Sequence, residues 1–303
     1  MVFYTERSLS IIEDMMETFA IKKYDGKKII ATRFPAKKTL RRSLIIAAAT
    51  GVKQTFYYKF AAFCSEMGYD VYTFDYSGIG LSDGKRVKES TASYSTWGKE
   101  DMPAVVEYVK KAHSDQPLYY IGHSFGGNCL GMSEAALECD AIVTIGSQHG
   151  YLAHFDIWRI PLVWFVFSIS MPLLTKLYGY FPSATHSLGE NLPKNVASDW
   201  SKVILNKNGM EIIAGDSWRR ELRTNMLVLS FDDDSFAPQR AVDQCAYVSY
   251  SGTVVVRRHI KPKEIGVAAI GHFDFFRPKF QDSLWHSVIA WLEVQGKEQT
   301  MSA

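Results

Sequence analysis

Short apolar runs alternate with amphipathic stretches along most of the chain, and that alternation predicts the architecture before any motif is considered. Residues 19–34 (FAIKKYDGKKIIATRF) read as two strands joined at Asp25-Gly26, a dipeptide suited to the positive φ of a tight turn. SLIIAAAT (43–50) is continuously apolar, the pattern of a strand covered on both faces. A helical pattern over 55–67 closes at Gly68, VYTFD (71–75) is the next strand, and 93–112 is a helix. PLYYIG (117–122) and AIVTIGS (141–147) are strands, with a helical pattern after Gly126 between them. Beyond an interruption, MLVLSF (226–231), TVVVRRHI (253–260) and IGVAAIG (265–271) read as strands. Helical patterns cover 238–247 and 283–294. Strands alternating with helices predict an α/β fold, a mostly parallel central sheet flanked by helices, here with an antiparallel start.

The interruption divides the chain into a core, 1–147 and 220–303, and an inserted helical cap, 148–219. From Tyr151 to Pro182 it holds nine aromatic residues in 32, against 14% aromatic for the whole chain. A buried helix pair or an apolar lid over a site would each produce that surplus. Within it, IPLVWFVFSISMPLLT (160–175) carries no charge. Sixteen helical residues reach ~24 Å, short of a ~30 Å hydrocarbon core. Pro161 starts the run and Pro172 is expected to interrupt it, which favours a buried or interfacial helix over a membrane span. Membrane association through the cap stays open.

Composition narrows the class. The chain has 303 residues, 47% hydrophobic and 22% charged, enough to bury a full core. Lys+Arg 34 against Asp+Glu 32 leaves a net charge of +2, which lacks the basic face of a nucleic-acid binder. Cys64, Cys129, Cys139 and Cys245 show no metal-ligand spacing and read as buried thiols of a reducing compartment. Glu6, Glu13, Asp14 and Glu17 break up the N-terminus, so no signal peptide is read there and the expected location is the cytoplasm. Gly78-x-Gly80 lacks the third glycine of a dinucleotide loop, because Asp83 takes its place. No cofactor is expected.

Chemistry concentrates at Gly122-His123-Ser124-Phe125-Gly126, a G-x-S-x-G sequence. The pattern alone is weak, but here it follows a strand and precedes a helix. Such a turn exposes the serine hydroxyl at the carboxyl edge of the sheet and aims the Phe125 N–H, at a helix N-terminus, toward a developing oxyanion. A serine needs a base. Among eight histidines, His272 in Ile270-Gly271-His272-Phe273 begins the loop after the last predicted strand, at the same sheet edge. His123 belongs to the turn itself, His259 lies in an alternating strand, and His149 fits a substrate contact. The base needs a carboxylate to fix its tautomer. Asp232, Asp233 and Asp234 end the strand before; Asp234, four residues ahead of Pro238, is favoured, with Asp233 in reserve.

These features together resemble the α/β-hydrolase fold superfamily. Asp75-Tyr-Ser-Gly-Ile-Gly-Leu-Ser82 is similar to its D-x-R-G-x-G-x-S loop, with Ser77 where arginine is common. Ala49-Thr50-Gly51-Val52 stands where the family often carries His-Gly-x, which implies the Val52 N–H as second oxyanion donor. The resemblance covers about 20–147 and 220–296, and the insertion falls where the family places its cap. That position makes Trp158, Trp164 and Phe165 candidate substrate-binding residues. Gly179-Tyr-Phe-Pro182 and Leu192-Pro193 resemble predicted bacterial hydrolases of the serine-aminopeptidase or lysophospholipase type. The resemblance implies a serine hydrolase that cleaves a small ester with an apolar portion, using Ser124, His272 and Asp234. A thioesterase, amidase, peptidase or acyltransferase would use the same three residues. A non-catalytic ligand-binding protein of the same fold is the remaining reading.

Overall fold

The computed structural model describes residues 16–38, 40–186, 189–215 and 217–302. β1 (Glu17–Lys22) and β2 (Lys28–Phe34) form the expected hairpin, with Gly26 at φ 80° in its turn. β3 (Ser43–Ala47), β4 (Asp70–Phe74), β5 (Leu118–His123) and β6 (Ala141–Ile145) follow. β7 (Tyr180–Phe181) and β8 (Leu192–Pro193) pair with each other inside the insertion. β9 (Asn225–Phe231) and β10 (Val254–Ile260) complete the main sheet. Its order is β1-β2-β4-β3-β5-β6-β9-β10, and β2 alone runs against the other strands. β3, β5 and β6, the continuous apolar runs, are buried at every residue, whereas β10 alternates as an edge strand should.

The helices that matter below are α1 (Tyr58–Glu66), α2 (Met102–Ala112), α3 (Phe125–Leu130), α4 (Ile160–Tyr178), α5 (Lys194–Leu205), α6 (Gln239–Gln244) and α7 (His286–Ser302). α1 closes at Gly68, whose φ of 97° suits only glycine there. Its Phe60 and Phe63 meet Trp285, at the entry to α7, with ring centroids 5.1 and 5.3 Å apart. All four cysteines are free and buried.

Two sequence expectations change. Residues 265–271 are not a strand: a short 3₁₀ turn, Pro262–Ile265, leads into irregular chain, and the sheet ends at β10. Gly266 and Gly271 both take positive φ, and the Ile270 N–H is held by the Asp233 carboxylate at 2.8 Å instead of by a neighbouring strand. Pro172 does not interrupt the apolar run. The turn before it, Val166–Ser170, winds as a π-helix, so the missing N–H of Pro172 is absorbed and α4 continues for 19 residues. That helix is long and apolar enough to cross a membrane, with a mean hydropathy of 1.7, and it lies mostly on the outside of the protein.

A buried ion pair ties the first strand to the sheet's periphery. Lys23 Nζ, at the end of β1, lies 2.9 Å from Asp101 Oδ1, and both side chains are almost fully enclosed. Asp101 also accepts hydrogen bonds from Ser77 N–H at 2.7 Å and Ser77 Oγ at 2.9 Å. Removing one partner strands the other charge in a dry environment. Lys23→Met should cost about 3–5 kcal/mol of unfolding free energy, measured by urea denaturation. A loss near zero would show that the pair does not hold β1 in place.

Candidate active site

The sheet delivers three segments to one end. β5 runs into α3 through Ser124, whose backbone sits at φ 52° and ψ −116°, a strained conformation for a residue with a side chain. Close packing maintains it. A Cβ on Gly126 would collide with the Ala47 carbonyl at the end of β3, and one on Gly122 with the backbone of Gly127. The Ser124 N–H continues the sheet by donating to the Ile145 carbonyl at 2.8 Å. Phe125 is the first residue of α3, so its N–H lies among the unpaired donors of a helix N-terminus.

The three acids after β9 separate into three tasks. Asp234 Oδ2 accepts from His272 Nδ1 at 2.7 Å, with both side chains buried. Its Oδ1 accepts the N–H groups of Phe236 and Ala237 at 2.8 and 2.9 Å. Burial works against this carboxylate, but the adjacent His272 and these hydrogen bonds outweigh it and hold its pKa below the ordinary value. Asp233 fixes the backbone of Ile270, two residues before His272. Asp232 reaches His259 Nε2 at 3.3 Å on the exposed side of β10, and His259 Nδ1 pairs with Ser230 Oγ at 2.7 Å.

His123, inside the G-x-S-x-G turn, makes a connection that the motif does not announce. Its ring is fully buried, and Nε2 lies 2.9 Å from the His272 carbonyl, which can only accept. Nε2 therefore carries the proton and Nδ1 accepts from the Tyr57 hydroxyl at 2.8 Å. Tyr57 Oη in turn accepts the Ala49 N–H at 2.9 Å. One directed chain thus joins the loop after β3, the serine turn and the histidine loop. Burial, and then the neighbouring His272, push the His123 pKa well below its ordinary value, which keeps the ring neutral.

Ser124, Phe125 and His272 line a common cavity of about 60 Å³. Thr50, Tyr94, Asn128 and Gln148 supply its polar wall, and Trp200, Val203, Ile204 and Met210 of the insertion cover it. Sites that bury drug-sized ligands measure ~300–1,000 Å³, so this one as it stands encloses only a small group. Thr50 Oγ1 lies 2.8 Å from Tyr94 Oη at the cavity edge. Val52 does not line the cavity, and its N–H donates to the Ala49 carbonyl at 3.1 Å. The Gly51 carbonyl beside it accepts the Glu190 N–H at 2.7 Å, so a strap of the insertion covers this part of the loop.

Trp158, Trp164 and Phe165 also lie elsewhere. They are 73%, 49% and 50% exposed and line no part of the cavity. Besides Phe125 of the serine turn, the Phe, Tyr and Trp rings at the site are Tyr94, Trp200, Phe236 and Phe273, scattered over four segments with no common motif. Arg219 is likewise invisible in the sequence. Fully buried, it donates to Glu211 at 3.0 Å and to the Asn128 carbonyl of α3 at 2.7 Å, and it stacks on Tyr250. It ties the insertion to the serine-bearing helix. Among the described residues no group of three or more His, Cys, Asp or Glu side chains converges as a metal site.

Comparison with known proteins agrees with this architecture. A family profile described as alpha/beta hydrolase fold matches residues 44–168. A search of the curated proteins found no match. Among solved structures, a thermostable carboxyl esterase from Bacillus coagulans superposes with a TM-score of 0.63 at 13% identity, covering 92% of this chain and 98% of its own. A soluble variant of monoglyceride lipase from Saccharomyces cerevisiae gives 0.67 at 16%, covering 92% and 96%. An esterase from Pyrococcus furiosus gives 0.61 at 16%, covering 96% of each chain. The strand order, the serine turn after β5 and the structural neighbours together show that this chain has the α/β-hydrolase fold.

Proposed function

We propose that the protein is a serine hydrolase that cleaves carboxylic esters of small acyl groups through an acyl-enzyme. The observation that carries this reading is the Asp234–His272 pair, 2.7 Å apart and buried, beside a serine on a strained turn in one cavity. Esterases and a lipase among the structural neighbours support the reaction class.

In this reading Ser124 Oγ attacks the acyl carbon while His272 Nε2 takes its proton. Asp234 keeps the proton on Nδ1 beforehand and stabilises the imidazolium that forms. The tetrahedral oxyanion is met by the Phe125 N–H. The second donor comes from Thr50: of the two loop residues that border the cavity, Ala49 has its N–H engaged by Tyr57, while the Thr50 hydroxyl, accepting from Tyr94 Oη 2.8 Å away, keeps its own proton to donate. Collapse expels the alcohol, which leaves with the proton from Nε2. Water then repeats the sequence on the acyl-serine. The Ala49–Tyr57–His123–His272 chain sets the distance between oxyanion loop, nucleophile and base, and it works only while His123 is neutral, because a protonated Nδ1 cannot accept from Tyr57.

Nitrophenyl acetate or butyrate should be turned over faster than the laurate ester, Ser124→Ala should abolish turnover, and Asp234→Asn should lower kcat by ~10³–10⁴-fold. A laurate preference would contradict the small-acyl assignment, and full activity in Ser124→Ala would end the serine reading. Thr50→Val should reduce kcat about 100-fold with little change in KM, and an unchanged kcat would remove Thr50 from the oxyanion site. Tyr57→Phe should lower kcat about 10–100-fold at constant KM, by loosening the alignment of the three segments. The His123 pKa is depressed, so below its ordinary value of 6.5 the unfolded chain binds a proton that the folded ring refuses, and stability declines as the pH is lowered through that range. His123→Gln should make that decline shallower in thermal unfolding scans. An equal slope would mean that His123 does not carry it.

A further inference from the structure

The helix α4, with Trp158 just ahead of it, presents an apolar stripe that no described residue covers. Trp158, Leu162, Phe165, Ile169, Leu173 and Leu177 recur every three or four residues, and they are 73%, 65%, 50%, 41%, 61% and 71% exposed. Single exposed apolar residues are ordinary on soluble proteins, but a contiguous stripe the length of a 19-residue helix marks an interaction surface.

Charge identifies the kind of surface. Between Ile157 and Gly189 the sequence contains no Asp or Glu, and its only Lys or Arg residues are Arg159 and Lys176, one near each end of the stripe. Lys194 and Lys202 of α5 join Lys176 along the groove between the two helices. Trp158 and Tyr178, rings with a polar atom, stand at the two ends. Lys202 is ion-paired with Asp199 at 3.1 Å and Asp156 precedes Ile157, so the cations that count for this face are Arg159, Lys176 and Lys194. An apolar stripe flanked by these cations and by amphipathic aromatics is complementary to the boundary between anionic headgroups and acyl chains.

The packing decides between lying on a bilayer and crossing it. The inner face of α4 is fastened along its length: the Phe167 ring lies 5.2 Å from that of Trp200, and Ser201 Oγ lies 3.4 Å from Met171 Sδ. Arg159 Nη1 donates to the Ser235 carbonyl at 3.2 Å, which ties the start of the helix to the loop after Asp234. Gly179 ends the helix in a left-handed conformation, and β7 and β8 return the chain to α5. Crossing a membrane would require all of these contacts to break. We propose that the outer face of α4 docks in the plane of an anionic lipid surface, with α5 between the lipid and the catalytic cavity.

This inference does not depend on the esterase reading and is tested apart from it. The full chain is sedimented with phosphatidylcholine vesicles, with and without phosphatidylglycerol, beside a triple variant, Leu162→Glu, Leu173→Glu and Leu177→Glu. Wild type should bind the anionic vesicles more tightly than the neutral ones and be released by an alkaline carbonate wash. The triple variant should bind at least about tenfold more weakly while keeping the wild-type circular dichroism spectrum and thermal midpoint. Lys176→Gln with Lys194→Gln should reduce the preference for anionic vesicles and leave the fold intact. Absence of vesicle binding by wild type, or equal binding by the triple variant, would overturn the proposal. Resistance to carbonate would replace docking by a span. A wild-type dimer that the triple variant converts to monomer, without vesicle binding, would make the stripe a self-interface.

Discussion

The hydrogen-bond chain from Ala49 through Tyr57 and His123 to the His272 carbonyl is the constraint on which the site depends. Its members come from the loop after β3, the helix approach after that loop, the turn after β5 and the loop after β10. Ala49 and Tyr57 are eight residues apart, but His123 and His272 lie 66 and 149 residues further along the chain from the members they bond. A sheet edge brings such segments to within several ångströms of each other, but reaction requires tighter registration. A buried neutral imidazole with two distinct nitrogens supplies it, because one nitrogen must donate and the other must accept. The same burial that forces neutrality also makes each of these bonds costly to lose, since an unpaired partner would have no water to turn to.

Much of this was legible in the residues, for identifiable reasons. Continuous apolar runs mark β3, β5 and β6 because parallel strands are covered on both faces, and Asp25-Gly26 marks the tight hairpin of β1 and β2. The serine turn was legible from its glycines, and the structure supplies the reason: side chains there would strike Ala47 and Gly127. Asp234, favoured over its two neighbours by its distance from Pro238, is the acid that meets His272. The sequence pattern puts His272 after a strand at 265–271, and that strand does not form. The loop reaches the same sheet edge because Asp233 holds Ile270 instead.

What the sequence could not reveal was direction. Aromatic enrichment in 151–182 said nothing of which way the rings point, and most of the surplus on α4 faces outward while Trp200, outside that stretch, lines the cavity. Pro172 looked like a break because the pattern carries no sign of a π-wound turn that accommodates it. The Val52 expectation assumed a loop geometry in which that amide is free, whereas here it closes a turn and the 189–192 strap covers its neighbour. The insertion therefore has two unlike faces. One closes a small, mixed polar and apolar cavity over Ser124, and the other carries the uncovered apolar stripe, with α5 as the shared wall.

The central claim is that Ser124 is a nucleophile activated by His272 and Asp234. Its most direct test is mass spectrometry of the intact full-length protein after exposure to a small fluorophosphonate, followed by peptide mapping. The expected result is a single phosphonyl adduct on the peptide containing Ser124, formed slowly or not at all in His272→Ala and absent from Ser124→Ala. An adduct on another residue, or one that persists in Ser124→Ala at the wild-type rate, would contradict it.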